Sequence, residues 1–211
     1  MNTLEVINVS KKFKRKTVLE NVNLSFKSGN IYGLVGENGS GKTVLMKIMI
    51  GFMRTQSGKI LYNGKELKKD FDYLPSVSFI IETPEFYDEL TGFENLKLLA
   101  EINNKISDEE INGWMEIFKL ENDSKKIKDY SLGMEQRLGL IQALMEDPEV
   151  LILDEFSNSL DEEGVLLTHD ILKKEKEKGK IIIISSHYKY DIENLADEIY
   201  RIKDGKIIHE K

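Results

Sequence analysis

The stretch GENGSGKT, residues 36–43, decides the fold. It matches G-x-x-x-x-G-K-[ST] in full, behind the apolar run IYGLVG (31–36) and ahead of KTVLMKIMIGF (42–52), whose apolar residues recur at helical spacing. The glycines let the backbone curl, so that the N–H groups of Gly36, Glu37, Asn38, Gly39, Ser40 and Gly41 turn inward toward phosphate oxygens. The helix that starts near Lys42 aims its positive end at the same place. Lys42 is expected to reach β- and γ-phosphates, and the Thr43 hydroxyl to ligate Mg²⁺. A glycine turn that merely precedes a helix lacks this context on both sides.

VLILDE (150–155) is an apolar strand that ends in two acids. Such a strand delivers Asp154 to the carboxyl edge of the sheet, where open α/β sheets bind ligands. Asp154 is read as holding Mg²⁺ through water, and Glu155 as the general base for an attacking water.

Between these motifs the texture changes. Residues 3–9 and 17–26, GKILYNGKEL (58–67, with an Asn-Gly turn) and SVSFII (76–81) read as strands. From about Thr91 to Met145 helical spacing takes over. TGFENLKLLAEI (91–102) and SDEEINGWMEIFKL (107–120) each open on a capping box. MEQRLGLIQALMED (134–147) is a third helix, stopped by Pro148. Strands return at 150–154 and 180–186 around a helix-like segment, and EIYRIKDGKIIHEK (198–211) reads as a hairpin about Asp204-Gly205. The plan is an α/β strand-helix-strand scaffold interrupted by a helical insert.

The chain has 211 residues, 40% of them hydrophobic and 32% charged, as in globular proteins that bury a core. A net charge of −7 argues against nucleic-acid binding through phosphate neutralisation, so no nucleic-acid partner is expected. The absence of cysteine excludes disulfides and thiolate metal sites. The N-terminal stretch has no apolar core or cleavage site of a secretory signal. The most apolar windows, LMKIMIGFM (45–53) and IIII (181–184), are too short to span a bilayer, so work at a membrane would need a second chain to supply the span.

A further stretch, YSLGMEQR (130–137), sets a serine and a glycine at a helix start far from any strand. Together with the phosphate loop, VLILDE, FSNSLD (156–161) and SSH (185–187), in this order, it makes the chain resemble the ATP-binding subunit of an ABC transporter over nearly its whole length. S-L-G-M and IETPEFY (81–87) resemble most the bacitracin and lantibiotic exporters of that family. The resemblance implies a single ABC ATPase domain of the P-loop NTPase class. It has a RecA-like α/β core (about 1–85 and 148–211) with an N-terminal antiparallel β region, and a helical lobe at about 86–147.

It implies further that two subunits pack head to tail. Ser131 and Gly133 of each would then close over the γ-phosphate of ATP held by the partner, and Asp161 would contact the partner subunit and help position its own site. His187 becomes the switch histidine beside the catalytic Glu155, and Phe13 aligns with the aromatic that stacks on adenine. A lone Phe at a strand end is more often core. Phe86, Tyr87 and Phe93 fall where the family meets a coupling helix of its permease, or simply pack the helical lobe.

The expected partner is a polytopic membrane permease, the expected place the inner face of the cell membrane, and the expected ligands ATP and Mg²⁺. Three departures stand out. Leu132 replaces the usual first signature glycine, Phe156 replaces a proline, and Glu82 replaces the family's glutamine metal ligand. Glu82 would bind the metal or be held away until the site closes.

Two other classes compete. A soluble ABC-type ATPase of translation or DNA metabolism usually carries two cassettes or a long insert, and this chain has one cassette and no heptad array. A P-loop kinase or GTPase needs no signature, and N-K-x-D does not occur. A non-hydrolysing cassette would be expected to lack some of Lys42, Asp154, Glu155 and His187, and all four are present.

Overall fold

The computed structural model describes residues 1–14, 16–120 and 124–210. Strands β1 (Thr3–Phe13) and β2 (Lys16–Lys27) alternate buried and exposed residues, as strands with one wet face do. They pair antiparallel, and β1 also pairs with β4 (Ser57–Tyr62). Asn63 and Gly64 both take positive φ, 50° and 78°, in the tight turn to β5 (Lys65–Glu66). This is the turn that the Asn-Gly pair predicts. Together these strands form a sheet in the order β2-β1-β4-β5.

The second sheet has a different chemistry. In β3 (Asn30–Val35), β7 (Val150–Leu153) and β8 (Ile181–Ile184) almost every side chain is buried, because layers cover both faces. With β6 (Val77–Ile80), β9 (Glu198–Lys203) and β10 (Lys206–His209) they form the order β10-β9-β3-β8-β7-β6. All pairs are parallel except β10 with β9, the terminal hairpin predicted about Asp204-Gly205. The last residue of that predicted segment, Lys211, lies outside the described residues.

This sheet divides two cores. Val150, Ile152, Ile181 and Ile183 face a cluster with helix α1 (Lys42–Ile50) and the antiparallel sheet. Leu151, Leu153, Ile182 and Ile184 face the other helices. Those are α2 (Gly92–Asn103), α3 (Asp108–Ile117), α4 (Leu132–Leu144), α5 (Glu162–Glu177) and α6 (Lys189–Leu195). Both capping boxes form, Thr91 with Glu94 and Ser107 with Glu110.

Two departures from the expected elements bear on the site. Helix α4 begins at Leu132 rather than near Met134, because Ser131 caps it by accepting the Met134 N–H at 3.3 Å. Helix α6 has no counterpart in the sequence reading. It is a seven-residue helix with no side-chain cap, and tertiary packing of Ile192 and Leu195 holds it in place.

Candidate functional site

Gly41 precedes α1 with φ 114°, and a Cβ there would meet the Val18 carbonyl at 3.1 Å. Only glycine suits that corner. The first helical hydrogen bond runs from the Leu45 N–H to the Gly41 carbonyl, at 2.9 Å. The N–H groups of Lys42, Thr43 and Val44 therefore have no intrahelical acceptor and point out of the helix start. The Lys42 ammonium folds back on its own loop and donates to the carbonyls of Gly36 (2.8 Å) and Glu37 (3.4 Å). Inside the same loop the Ser40 hydroxyl is buried with no hydrogen-bond partner among the described residues.

Strand β7 carries Asp154 to the mouth of this loop. Asp154 Oδ2 accepts the Thr43 hydroxyl at 2.5 Å, and Oδ1 accepts the hydroxyl of Ser185 at the end of β8. Two hard oxygen ligands thus meet beside the phosphate loop. This suits Mg²⁺, which takes one or two protein oxygens and completes its shell with phosphate and water. A dedicated cage of carboxylates and histidines is not found among the described residues.

Glu155 sits in the left-handed region, φ 52°, a conformation that costs a non-glycine residue roughly 1–3 kcal/mol. Its N–H is held by both the carbonyl and the hydroxyl of Ser185, at 3.1 Å each. The carboxylate then faces His187: Oε2 accepts the His187 N–H at 3.0 Å, and Oε1 lies 3.3 Å from Nε2. A carboxylate so placed can take a proton. An imidazole beside it, half-exposed, can donate to an incoming anion.

Phe13, Asn38, Lys42, Thr43, Asp154, Glu155 and His187 line one cleft of about 300 Å³. The Phe13 ring is 44% exposed with the Lys11 ammonium 5.3 Å from its centroid, so it is no core residue. Ser131 and Gly133 do not line this cleft. Neither does Glu82, which leaves β6 with φ 67° and pairs with Lys47 of α1 at 2.6 Å. Pro84, two residues on, rests on α4 so closely that a Cβ at Gly139 would come within 2.4 Å of it.

The segment 156–161 ties the Glu155 loop to helix α4. Phe156 is wholly buried, and its carbonyl accepts the Gln136 amide of α4 at 2.8 Å. Packing and that bond supply the rigidity a proline would have given. A Cβ at Gly133 would lie 2.8 Å from the Ser159 carbonyl, so the glycine lets this segment press against the start of α4. Asp161 caps α5 by accepting the Gly164 N–H (3.1 Å) and pairs with Arg137 of α4 (2.6 Å). Sequence reasoning missed Ser185, Gln136 and Arg137 as parts of the site. Arg137 sits in the quoted signature, but its partner is 24 residues away and no local pattern signals it.

The Arg137 guanidinium holds the exposed Asp161 carboxyl below its usual range. Its contribution to stability is therefore complete above an ordinary aspartate pKa of about 3.9 and is lost as the pH falls through the lower folded value. Asp161→Ala is expected to cost about 1 kcal/mol near neutral pH, mostly through the lost cap. The difference in urea midpoint from the wild type should shrink in acid, as the ionic pairing with Arg137 is lost. A difference that grows in acid would contradict this sign.

In the helical lobe, Phe86 and Phe93 pack against the core, while Tyr87, Leu98 and Ile102 are exposed along a groove of about 590 Å³. No helix among the described residues is long and apolar enough to cross a membrane.

Comparison with known proteins accords with this geometry. A family model described as ABC transporter matches residues 19–158. An uncharacterized ABC transporter ATP-binding protein of Bacillus subtilis, YybJ, is 43% identical over 97% of this chain and 94% of its own length. The bacitracin transport ATP-binding protein BcrA of Enterococcus faecalis is 40% identical, over 98% of this chain and 68% of its own. The lantibiotic transport ATP-binding protein SrtF of Streptococcus pyogenes is 38% identical, over 99% and 90%. A solved ATP-binding subunit of an ABC transporter superposes with a TM-score of 0.89 at 29% identity, covering 99% of this chain and 89% of that one. The phosphate loop, the two acids and the P-loop α/β fold thus have one common meaning: this chain belongs to the ABC transporter family, as an ATP-binding subunit with ATPase activity.

Proposed function

We propose that this subunit closes on ATP as a head-to-tail dimer and drives a separate membrane permease that exports a peptide antibiotic. The whole chain acts as one cassette, a core at about 1–85 and 148–211 with a helical lobe between. The carrying observation is that the cleft holding Lys42, Asp154, Glu155 and His187 has no contribution from Ser131 or Gly133. A second subunit can supply both at once in a two-fold arrangement.

In this reading Lys42 leaves its loop carbonyls for the β- and γ-phosphates. The main-chain N–H groups of the loop and the Ser40 hydroxyl receive phosphate oxygens, and Phe13 stacks on adenine. Thr43 and Asp154 would hold Mg²⁺, which when bound would supply neutralisation of the developing phosphate charge. Glu155 takes a proton from the attacking water as the new P–O bond forms and the bond to the β–γ bridging oxygen breaks. His187 donates to the γ-phosphate. Ser131, with the Gly133 N–H, donates to the γ-phosphate of the partner's ATP. Most of the acceleration is positioning and charge stabilisation.

A coupling helix of the permease would lie in the groove beside Tyr87, Leu98 and Ile102. The Glu82–Pro84 loop touches both α1 and α4, so a push there reaches the phosphate loop and the signature together. The exposed Lys47–Glu82 pair contributes at most about 1 kcal/mol. Glu82→Gln is therefore expected to leave ATP affinity within about tenfold, or about 1.4 kcal/mol, yet to change permease-stimulated hydrolysis in reconstituted membranes. Equal stimulation in both forms would remove Glu82 from coupling and from the metal site. The peptide-antibiotic cargo is supported by the relatives named for bacitracin and lantibiotic transport. Co-expression with a cognate permease should raise resistance to bacitracin or a lantibiotic, and unchanged resistance to both classes would overturn that assignment.

A further inference from the structure

Asp191 lies on the first turn of α6, 1% exposed, and no motif of the family reading uses it. An isolated buried carboxylate is costly unless hydrogen bonds surround it. Three donors do so here. Oδ2 accepts the hydroxyl of Ser157 at 2.5 Å and that of Ser186 at 2.6 Å, and Oδ1 accepts His169 Nε2 at 3.0 Å. The donors come from separate places: Ser157 follows Glu155 by two residues, Ser186 immediately precedes His187, and His169 belongs to α5. Ser186 also accepts the Tyr188 N–H at 2.9 Å, which closes the loop around His187. His169 is 3% exposed, with the Tyr190 ring stacked on one side and the Phe156 ring nearby. Burial pushes the Asp191 carboxyl up, but the bonds from His169, Ser157 and Ser186 outweigh it and hold the group ionised below its ordinary value.

The same residue types make nucleophilic triads elsewhere, but not here. Ser157 and His169 each bond to Asp191 and not to one another, and Ser157 is 2% exposed, beyond the reach of a substrate. The arrangement is a clamp. One carboxylate oxygen receives a hydroxyl from the loop that carries the base and a hydroxyl from the loop that carries the histidine.

We propose that Asp191, backed by His169, is a positioning residue that locks the Glu155 loop and the His187 loop into one geometry through Ser157 and Ser186. This rests on the roles given to Glu155 and His187 above. The segment 156–161 also abuts the signature helix, so the clamp carries its displacement to His187 when a partner subunit docks.

The test measures Mg-ATP hydrolysis by phosphate release and ATP affinity by calorimetry, on the full chain. Asp191→Asn and Ser186→Ala are expected to lower kcat about tenfold or more, as small misplacements of reacting groups do, with ATP affinity within about twofold. Ser186→Thr, which keeps the hydroxyl, should restore kcat to within about twofold of the wild type. The Asp191→Asn/Ser186→Ala double variant should be no slower than the slower single variant, since both break one clamp. The proposal is overturned if Ser186→Ala keeps the wild-type kcat, if the two losses multiply, or if the loss falls on ATP affinity. Should Asp191→Asn fail to fold, the Ser186→Ala and Ser186→Thr pair decides alone. Glu155→Gln is assayed alongside: if it hydrolyses ATP normally, the assignment of the base fails, whereas an inactive Glu155→Gln beside an unaffected Ser186→Ala refutes the clamp only.

Discussion

Lys42→Ala is expected to lose Mg-ATP affinity by on the order of a hundredfold, about 2.7 kcal/mol, the scale of a lost charge-assisted hydrogen bond. The cation is already in the cleft, where it satisfies the carbonyls of Gly36 and Glu37. Its removal therefore takes a positive charge from an anion site and also frees two loop carbonyls. Lys42→Met removes the same ammonium but keeps a buried apolar stem, so it should lose affinity to the same extent if the charge and its hydrogen bonds carry the effect. Both variants should melt cooperatively, since the cores on either side of the sheet do not include this side chain. Titration calorimetry showing wild-type affinity in Lys42→Ala would remove GENGSGKT from the nucleotide site.

The second large effect concerns assembly. Glu155→Gln should bind ATP and hydrolyse it slowly, because an amide cannot take the proton of water. Trapped nucleotide then holds two chains together, and light scattering after size exclusion should report a dimer in Mg-ATP and a monomer in ADP. Adding Gly133→Asp should abolish that dimer, since a carboxylate would meet the partner's γ-phosphate, and like charges across an interface cost several kcal/mol. A side chain at 133 also presses on the Ser159 carbonyl of the same chain. Gly133→Ala isolates that steric part: it should weaken the dimer less than Gly133→Asp does. A double variant that dimerises as well as its parent would leave Ser131 as a helix cap only.

What the sequence determined by itself is the chemistry that is local. A glycine loop between an apolar strand and a helix, or an apolar strand ending in Asp154-Glu155, encodes its own geometry through backbone freedom and burial on both faces. The capping boxes at Thr91 and Ser107, and the Asn-Gly and Asp-Gly turns, are equally short in range, and all are present. Order alone makes FSNSLD and SSH meaningful, and both lie at the carboxyl edge of the parallel sheet beside Glu155.

What only tertiary structure decided is which polar groups share a neighbour. Glu82 could serve a metal or be held aside, and its pairing with Lys47 depends on β6 and α1 meeting 35 residues apart. Phe13 could be core or open, and its exposure follows from where β1 ends beside the phosphate loop. Phe156 stands in place of proline with its ring wholly buried in the core and its carbonyl accepting the Gln136 amide. Asp191 is invisible to pattern reading for the same reason. Its three donors lie 5, 22 and 34 residues away, and a charge so placed is tolerated only where the folded chain brings hydrogen bonds to it from several elements at once.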